Sequence, residues 1–179
     1  MGKIVGIVLA FGGVAGYLYS WIHMQKEKEM RLEEFIFFLQ KTIFAMETEN
    51  VKMMEYFARY ESKNGQMCGE KGSILEKSLH EIAKRLATYT YPKGQEAWEE
   101  VFKEEEQAWA MDSETFGVML HAGAGFFGRS RQENICFLQK SIDELEKQQV
   151  KLKENDAQQR KVWIPVGMLG TVMLLIVFV

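Results

Sequence analysis

The chain has 179 residues and a formal net charge of −3, values that fit one domain and show neither the basic footprint of a nucleic-acid-binding protein nor an acidic tail. All 25 acidic residues and 21 of the 22 basic residues lie within residues 25–161, so both ends of the chain are almost uncharged. Weak β-alternation and only two prolines favour helices in the charged segment. The composition predicts a membrane protein with a soluble all-α middle.

The first apolar stretch, residues 4–24, contains no Asp, Glu, Lys or Arg and is long enough for a helix to cross a bilayer. Three aromatic residues near its end are typical of the interface between membrane and water. A cleaved signal peptide is the alternative, but its basic region would be only the amino terminus and Lys3, with no clear cleavage site. We predict an uncleaved transmembrane anchor over residues 1–24.

The second apolar stretch ends the chain, because no charged residue follows Lys161 and residues 162–179 form an 18-residue segment. A helix of that length reaches about 27 Å, close to the thickness of a bilayer core. Basic residues follow the first stretch and precede the second, and such residues mark the cytoplasmic side. They are Lys26, Lys28, Arg31 and Lys41 after the first, and Lys147, Lys151, Lys153, Arg160 and Lys161 before the second. The sequence predicts a two-pass protein whose soluble domain, residues 25–161, is cytoplasmic.

Apolar spacing predicts the helices of the soluble domain, separated by residues that stop a helix. In chain order they are 25 to about 61, 73 to about 87, 95–110, a short helix begun by Asp112 or Ser113, and a last helix over about 130–161. A loop is expected after the stop at Asn64-Gly65, and Pro92 is expected to break the chain over 88–93. Ser73 with Glu76, and Ser130 with Glu133, have the spacing of a capping box.

The apolar side chains of these helices are expected to face a common core. They are Leu32, Ile36, Leu39, Ile43 and Met46; Ile74, Leu75, Leu79, Ile82, Ala83 and Leu86; Ala97, Trp98, Val101, Phe102, Ala108 and Trp109; and Phe116, Val118, Met119 and Leu120. Phe35, Phe37, Phe38, Phe44 and Met54 widen the stripe of the first helix, so we expect that helix to be buried on more than one side.

The last helix has a narrow apolar seam of the coiled-coil type. Its residues alternate by three and four positions: Ile135, Leu138, Ile142, Leu145 and Leu152, with Gln149 in the remaining place. We interpret this helix as a stalk leading into the second anchor. If the seam has no match within the domain, it would bind a second helix, from another copy or from a partner.

No residues in this sequence converge as a catalytic or metal site would require. His23, His80 and His121 lack metal-ligand spacing, and the run 104–106 of three glutamates points three ways on a helix, as a solvated surface does. The spacing of Gly123, Gly125 and Gly128 matches a dinucleotide fingerprint but follows no strand, so tight packing or a backbone turn explains it better. Cys68 and Cys136 are expected to be reduced thiols, with a disulfide between them as the alternative. We predict no enzyme, no cofactor and no metal.

Three stretches, taken in order, give the chain a resemblance to a known family. They are residues 39–47; residues 94–98, Gly-Gln-Glu-Ala-Trp; and Phe127-Gly128 with the polar helix to 145–146, then Arg160-Lys161 and Gly167. In this layout the chain resembles the stage III sporulation protein AB family of endospore-forming bacteria. One departure is that Arg129-Ser130-Arg131 stands where the family usually has an Asp after the glycine turn.

The resemblance implies a soluble domain similar to the cytoplasmic domain of type II secretion F proteins, a compact bundle of about six helices flanked here by the two anchors. It also implies a scaffold in a secretion-like channel complex, located in the mother-cell membrane that faces the forespore. There the protein would help to assemble the complex, or to couple its ATPase to membrane subunits.

Residues near the glycine turn and near the second anchor are our candidates for binding partners. They are Gly125, Gly128, Arg129, Arg131, Arg160 and Lys161. The expected partners are the membrane and other subunits of the complex, including the ATPase, with a homo-oligomer as a further possibility and neither nucleic acid nor a small-molecule substrate. The alternatives are a platform or adaptor protein of another secretion or pilus assembly system, and a membrane-bound enzyme or its regulator.

Overall fold

A computed structural model describes residues 2–48, 56–57, 73–88, 94–128 and 130–178. The chain divides into two compact units. The first comprises Met1–Glu29 with Val150–Val179, and the second comprises Met30–Gln149. The buried aromatic core and the glycine turn belong to the second unit.

Within the described residues the chain forms six α-helices, one short 3₁₀ helix and no strand, which confirms the predicted all-α class. The helices are α1 Gly2–Thr48, α2 Ile74–Ala87, α3 Gly94–Glu104, α4 Glu106–Trp109, α5 Ser113–Ala122 and α6 Arg131–Phe178; the 3₁₀ helix is Gly123–Gly125. The predicted stop at Asn64-Gly65 and the break at Pro92 lie outside the described residues.

Residues 4–24 and 162–178 are helical, as the sequence predicts for the two apolar ends. Among the residues that the structure describes, however, no helix combines the length and the apolarity needed to cross a membrane. The flanking transmembrane helices therefore have no support from the structure.

The start of α2 is the predicted capping box. The Glu76 backbone N–H donates to Ser73 Oγ at 3.1 Å, and the Ser73 N–H donates to Glu76 Oε2 at 3.1 Å. Together the two bonds satisfy donors that a helix start leaves without partners. The buried apolar face of α2 follows the predicted spacing and comprises Leu75, Leu79, Ile82 and Ala83.

The predicted helix over 95–110 is two helices, because the chain leaves helical geometry at Glu105. The short helix that follows, α4, is capped at its C-terminus by Ala110, whose φ of 53° lies in the left-handed region. This break turns Trp109 fully into the core, whereas Ala108 is exposed, so the prediction that Ala108 faces inward is wrong.

Trp98 of α3 lies at the centre of the aromatic core. Its indole stacks on Phe102 with ring centroids 4.4 Å apart, and Phe102 stacks on Trp109 at 5.4 Å. Phe126 lies 4.9 Å from Trp98, and Phe35 of α1 contacts all three stacked rings at 5.9–6.2 Å. Aromatic pairs of this kind stabilise a core by about 0.5–1.5 kcal/mol beyond their burial. These contacts join α1, α3 and α4 into one packed unit.

The apolar seam of α6 is occupied within the second unit. Ile135, Leu138, Ile142 and Leu145 are all less than a tenth exposed, and Ser141 and Gln148 are buried beside them. A seam that is already covered does not require a further helix. The condition under which the seam would bind a second helix is therefore not met over residues 130–149, and this part of α6 packs in the core.

The outward side of α1 differs from the prediction in the opposite sense. Phe37 and Phe44 were expected to be buried, but they are 50% and 66% exposed. The inward stripe, including Leu32, Phe35 and Leu39, fills the available contact with the core. Apolar residues around most of α1 predicted burial on more than one side, but this unit covers only the inward stripe.

Candidate interaction site

The glycine turn connects α5 to α6 through the 3₁₀ helix, in which the Phe126 N–H donates to the Gly123 carbonyl at 3.1 Å. None of the glycines that the structure describes has a positive φ, so the left-handed conformation is not the reason for glycine here. The explanation is close packing, one of the two that the sequence left open.

Gly123 lies directly against the indole of Trp98. A β-carbon at Gly123 would overlap Trp98 Cδ1 and stand 2.7 Å from Cγ and 2.8 Å from Nε1. The indole cannot move aside easily, because its N–H donates to the Met119 carbonyl at 3.2 Å and its ring is stacked in the core. Gly123 therefore fixes the approach of the turn to α3.

Gly125, a candidate for partner binding, is buried against α6. A β-carbon there would stand 2.7 Å from Leu138 Cδ2 and 3.1 Å from Phe137 Cδ1. The 2.7 Å contact is closer than those that β-carbons adopt, so glycine at position 125 lets the turn approach the start of α6 closely. Gly125 is therefore buried in the turn and not part of its exposed surface.

Gly128 and Arg131, two further candidates, are exposed at the end of the turn. A β-carbon at Gly128 would overlap Asn134 Oδ1, the far end of a flexible side chain. Ser130 Oγ accepts a hydrogen bond from the Glu133 N–H at 3.2 Å, which is half of the predicted capping box. The accessible part of the candidate site is thus the surface at the N-terminus of α6. Arg129 lies outside the described residues.

Lys161, a candidate further along α6, is exposed, and Arg160 lies in the same helix. Both belong to the first unit, whereas Gly125, Gly128 and Arg131 belong to the second. The described candidates therefore belong to two different units, and each group needs its own test.

An arginine that sequence reasoning missed holds the end of α4. Nη1 of Arg31 donates to the carbonyl of Ala108 at 2.8 Å and to that of Trp109 at 3.2 Å. The last carbonyls of a helix lack intrahelical partners, and a cation there also opposes the helix dipole. The sequence could not show this bond, because 77 residues separate Arg31 from Ala108.

A second missed feature is the ion-pair network around Arg85, which joins α2 to α3. Nε of Arg85 lies 3.0 Å from Glu81, Nη1 lies 3.4 Å from Glu100, and Nη2 lies 2.6 Å from Glu104. The hydrogen bond from Arg85 lowers the pKa of Glu81, and the hydrogen bond to Glu104 raises the pKa of Arg85. Four carboxylates and Lys103 line an open groove along α3, the carboxylates being Glu96, Glu99, Glu100 and Glu104.

The three-glutamate run, predicted to be a solvated surface, is only partly free. Glu104 pairs with Arg85, and Glu105 accepts a hydrogen bond from the Ser78 hydroxyl. Glu106 is exposed at the start of α4. The run therefore stabilises the junction of α2, α3 and α4 in addition to facing water.

Glu34 of α1 is held next to the capping box of α2. Burial raises the pKa of Glu34, the hydrogen bond with the Ser73 side chain opposes that rise, and the Glu76 carboxylate adds to it. The arrangement connects α1 to the first turn of α2 through a carboxyl whose pKa is raised above its ordinary value.

The described residues contain no group of three or more His, Cys, Asp or Glu side chains that could hold a metal ion. The turn offers exposed backbone and the Arg131 side chain, and the groove on α3 offers carboxylates. Both surfaces are suited to binding a charged partner, which is the chemistry of an interaction site.

No curated protein and no solved structure matches the chain. The family model for stage III sporulation protein AB matches residues 3–179. A match over nearly all of the sequence identifies the family, as the order of the three stretches predicted. The chain belongs to the stage III sporulation protein AB family.

Proposed function

We propose that the chain is a non-enzymatic scaffold in a sporulation channel complex between mother cell and forespore. Family membership over residues 3–179 carries this proposal. In this role the protein helps to assemble the complex, or to couple an ATPase to its membrane subunits. Its work is to hold partners at fixed positions, so it needs a rigid body and accessible surfaces.

The packing of the second unit supports a rigid body. The stacked rings of Trp98, Phe102 and Trp109, the Arg85 network and the Arg31 bonds tie α1 to α4 together. The accessible surfaces are charged: the carboxylates along α3 and Arg131 at the start of α6. Charged surfaces on a rigid body favour the selection and orientation of partners over chemistry.

Attachment to the membrane is the part of the proposal that rests on sequence alone. Residues 4–24 and 162–179 lack charged side chains, and the basic residues next to them place the soluble domain in the cytoplasm. Alkaline carbonate extraction of membranes from the native host tests this. The full chain should stay with the pellet, and its release into the supernatant would refute the anchors.

The scaffold role is tested by deleting the gene in its native host and counting heat-resistant spores. Sporulation should stop after engulfment, so the count of heat-resistant spores should fall steeply. The count should recover when the intact gene is restored. In the deletion strain the ATPase of the complex should leave the membrane fraction. Normal spore counts, with no second copy of the gene, would remove the sporulation role.

The two groups of candidate residues are tested in the same assay. Arg131→Glu and Lys161→Glu each reverse one exposed charge, and each variant should keep normal protein levels. A fall in spore counts with either variant would assign partner binding to that group. Purified chain with ATPase activity or with stoichiometric bound metal would contradict the non-enzymatic proposal.

A further inference from the structure

The outward face of α1 carries large apolar side chains of which half or more is exposed. Met30, Phe37 and Phe44 are 60%, 50% and 66% exposed. Their spacing of seven residues is two helical turns, so they form one line along the helix. We call these three residues the apolar row. All three lie in the second unit.

A second line runs beside the apolar row on the same helix. Glu33, Gln40 and Glu47 repeat at the same spacing, three residues after each member of the apolar row, and all three are exposed. We call these three residues the acidic row, because two of them are glutamates. On the other side of the apolar row, Lys41 Nζ lies 4.7 Å from the centre of the Phe37 ring. The face therefore combines an apolar line with an acidic border.

The size of this surface matches that of the largest apolar patch on an ordinary monomer. Half-exposed Met and Phe side chains offer about 100 Å² each, so the apolar row offers roughly 300 Å² of apolar surface. The largest apolar patch on a monomer is about 300–600 Å² and is often functional. It is smaller than one side of a standard protein interface, about 800 Å², so the expected complex is weak and depends on charge.

We propose that this face binds an amphipathic helix of a partner protein, one with apolar residues at seven-residue spacing bordered by Lys or Arg. The apolar row would receive the partner's apolar residues, and Glu33 and Glu47 would pair with its cations. The inference rests on the proposed scaffold role, since it names the kind of partner that the scaffold holds.

The charges argue against a second copy of the same face. Antiparallel pairing of two copies through this face would set the acidic row against itself, because antiparallel helices place like borders side by side. Parallel pairing would offer one cation, Lys41, to two carboxylates, and that cation already lies on the Phe37 ring. An anionic membrane surface would likewise be repelled by Glu33 and Glu47.

Site-specific photo-crosslinking in the native host tests the proposal. A photo-reactive benzoylphenylalanine replaces Phe37, and the control places it at Lys77, an exposed position on α2. The adduct at position 37 should map to a peptide with the apolar spacing and basic border described above, and the adduct should be absent at position 77. A second copy of this chain as the adduct, a peptide without that pattern, or no adduct at position 37 would each overturn the proposal.

Two further variants separate the apolar and charged contributions. Phe44→Ser, at an exposed position, should lower the crosslink yield at position 37 about tenfold, the effect of losing one buried Phe contact. Glu33→Lys with Glu47→Lys should lower the yield by a similar factor, whereas Lys77→Glu should leave it unchanged. Equal yields in the charge-reversed and unaltered chains would overturn the basic border.

Spore counts distinguish failure of this inference from failure of the proposed function. If gene deletion abolishes heat-resistant spores but Phe44→Ser and the charge reversal do not lower them, the scaffold role stands and the face on α1 is not its contact. If deletion has no effect, the scaffold role falls, and the crosslinked peptide still decides whether the face binds a helix.

Discussion

Gly123 lies so close to the indole of Trp98 that a single added methyl group would overlap the ring. The Gly123→Ala variant should lose about 1–3 kcal/mol of unfolding free energy, the usual cost of overpacking a core. The stacked ring and its bond to the Met119 carbonyl prevent an inexpensive adjustment. Urea unfolding followed by tryptophan fluorescence measures the loss.

Gly117 provides the matched control, since it lies in α5 with open space around its Cα. Gly117→Ala should raise the unfolding free energy by about 0.5–1 kcal/mol, because alanine has less backbone freedom to lose in a helix. A loss of stability at Gly117 as large as that at Gly123 would show that the effect is not due to Trp98.

Arg31→Met should lower the unfolding free energy by about 1.5 kcal/mol, because the Ala108 and Trp109 carbonyls lose their charged donor. The unfolding free energy of Arg31→Lys should lie between those of the unaltered chain and of Arg31→Met, since one ammonium group replaces the planar guanidinium group. In Arg31→Met, the rate of backbone hydrogen exchange should also increase more in α4 than in α2. Lys77→Met, which removes an exposed cation from α2, is the control, and an equal loss there would rule out a specific role for Arg31.

The parts of the fold that sequence predicted are those fixed by neighbouring residues. Ser73 and Glu76 are three residues apart, so their capping box is visible without any tertiary information. The same holds for the buried faces of α2 and α6, where the helical period selects Leu79, Leu138 and their neighbours.

The parts that sequence missed depend on distant residues. Arg31 binds the last carbonyls of α4 from a distant part of the sequence. Because the residues around Ala108 carry no sign of this contact, their spacing predicted one continuous helix. Phe44 has the composition of a core residue, and only the packed structure shows that no neighbour covers it. Within the candidate site, tight packing and a turn predict the same glycines, and the position of Trp98 distinguishes them.

The Arg85 network should contribute to stability in a pH-dependent way. The pKa of Glu81 is lower in the folded chain than in the unfolded chain. The stabilisation from ionised Glu81 is therefore present at pH values above its unfolded-state pKa, and it is lost as pH falls through its folded-state pKa. Arg85→Met should cost about 1 kcal/mol at pH 7, a modest figure because the carboxylates are partly exposed, and much less near pH 3. Lys84→Met, which loses one exposed 3.8 Å contact with Glu81, should change little at either pH. A cost for Arg85→Met that does not vary with pH would assign it to packing instead.

Glu34→Gln should stabilise the chain at neutral pH. Burial raises the folded pKa of Glu34 above its ordinary value of 4.5, so the folded state holds this proton more tightly than the unfolded state. Stability is therefore lost as pH rises from the unfolded-state pKa of Glu34 through its folded-state pKa. The amide of the Glu34→Gln variant stays neutral and avoids that loss, and it still accepts a hydrogen bond from the Ser73 hydroxyl. Urea unfolding at pH 7 should favour the variant, and the two chains should be equal at pH 3, where both side chains are neutral.

Glu33→Gln changes the exposed neighbour and should not show this pH-dependent gain. If Glu34→Gln were less stable than the unaltered chain at pH 7, the ionised carboxylate would have to be favoured by its surroundings. The Glu76 carboxylate and the burial of Glu34 would then have less effect on the pKa of Glu34 than the bond from Ser73. Equal stability at both pH values would mean that water reaches Glu34 as freely in the folded chain as in the unfolded one.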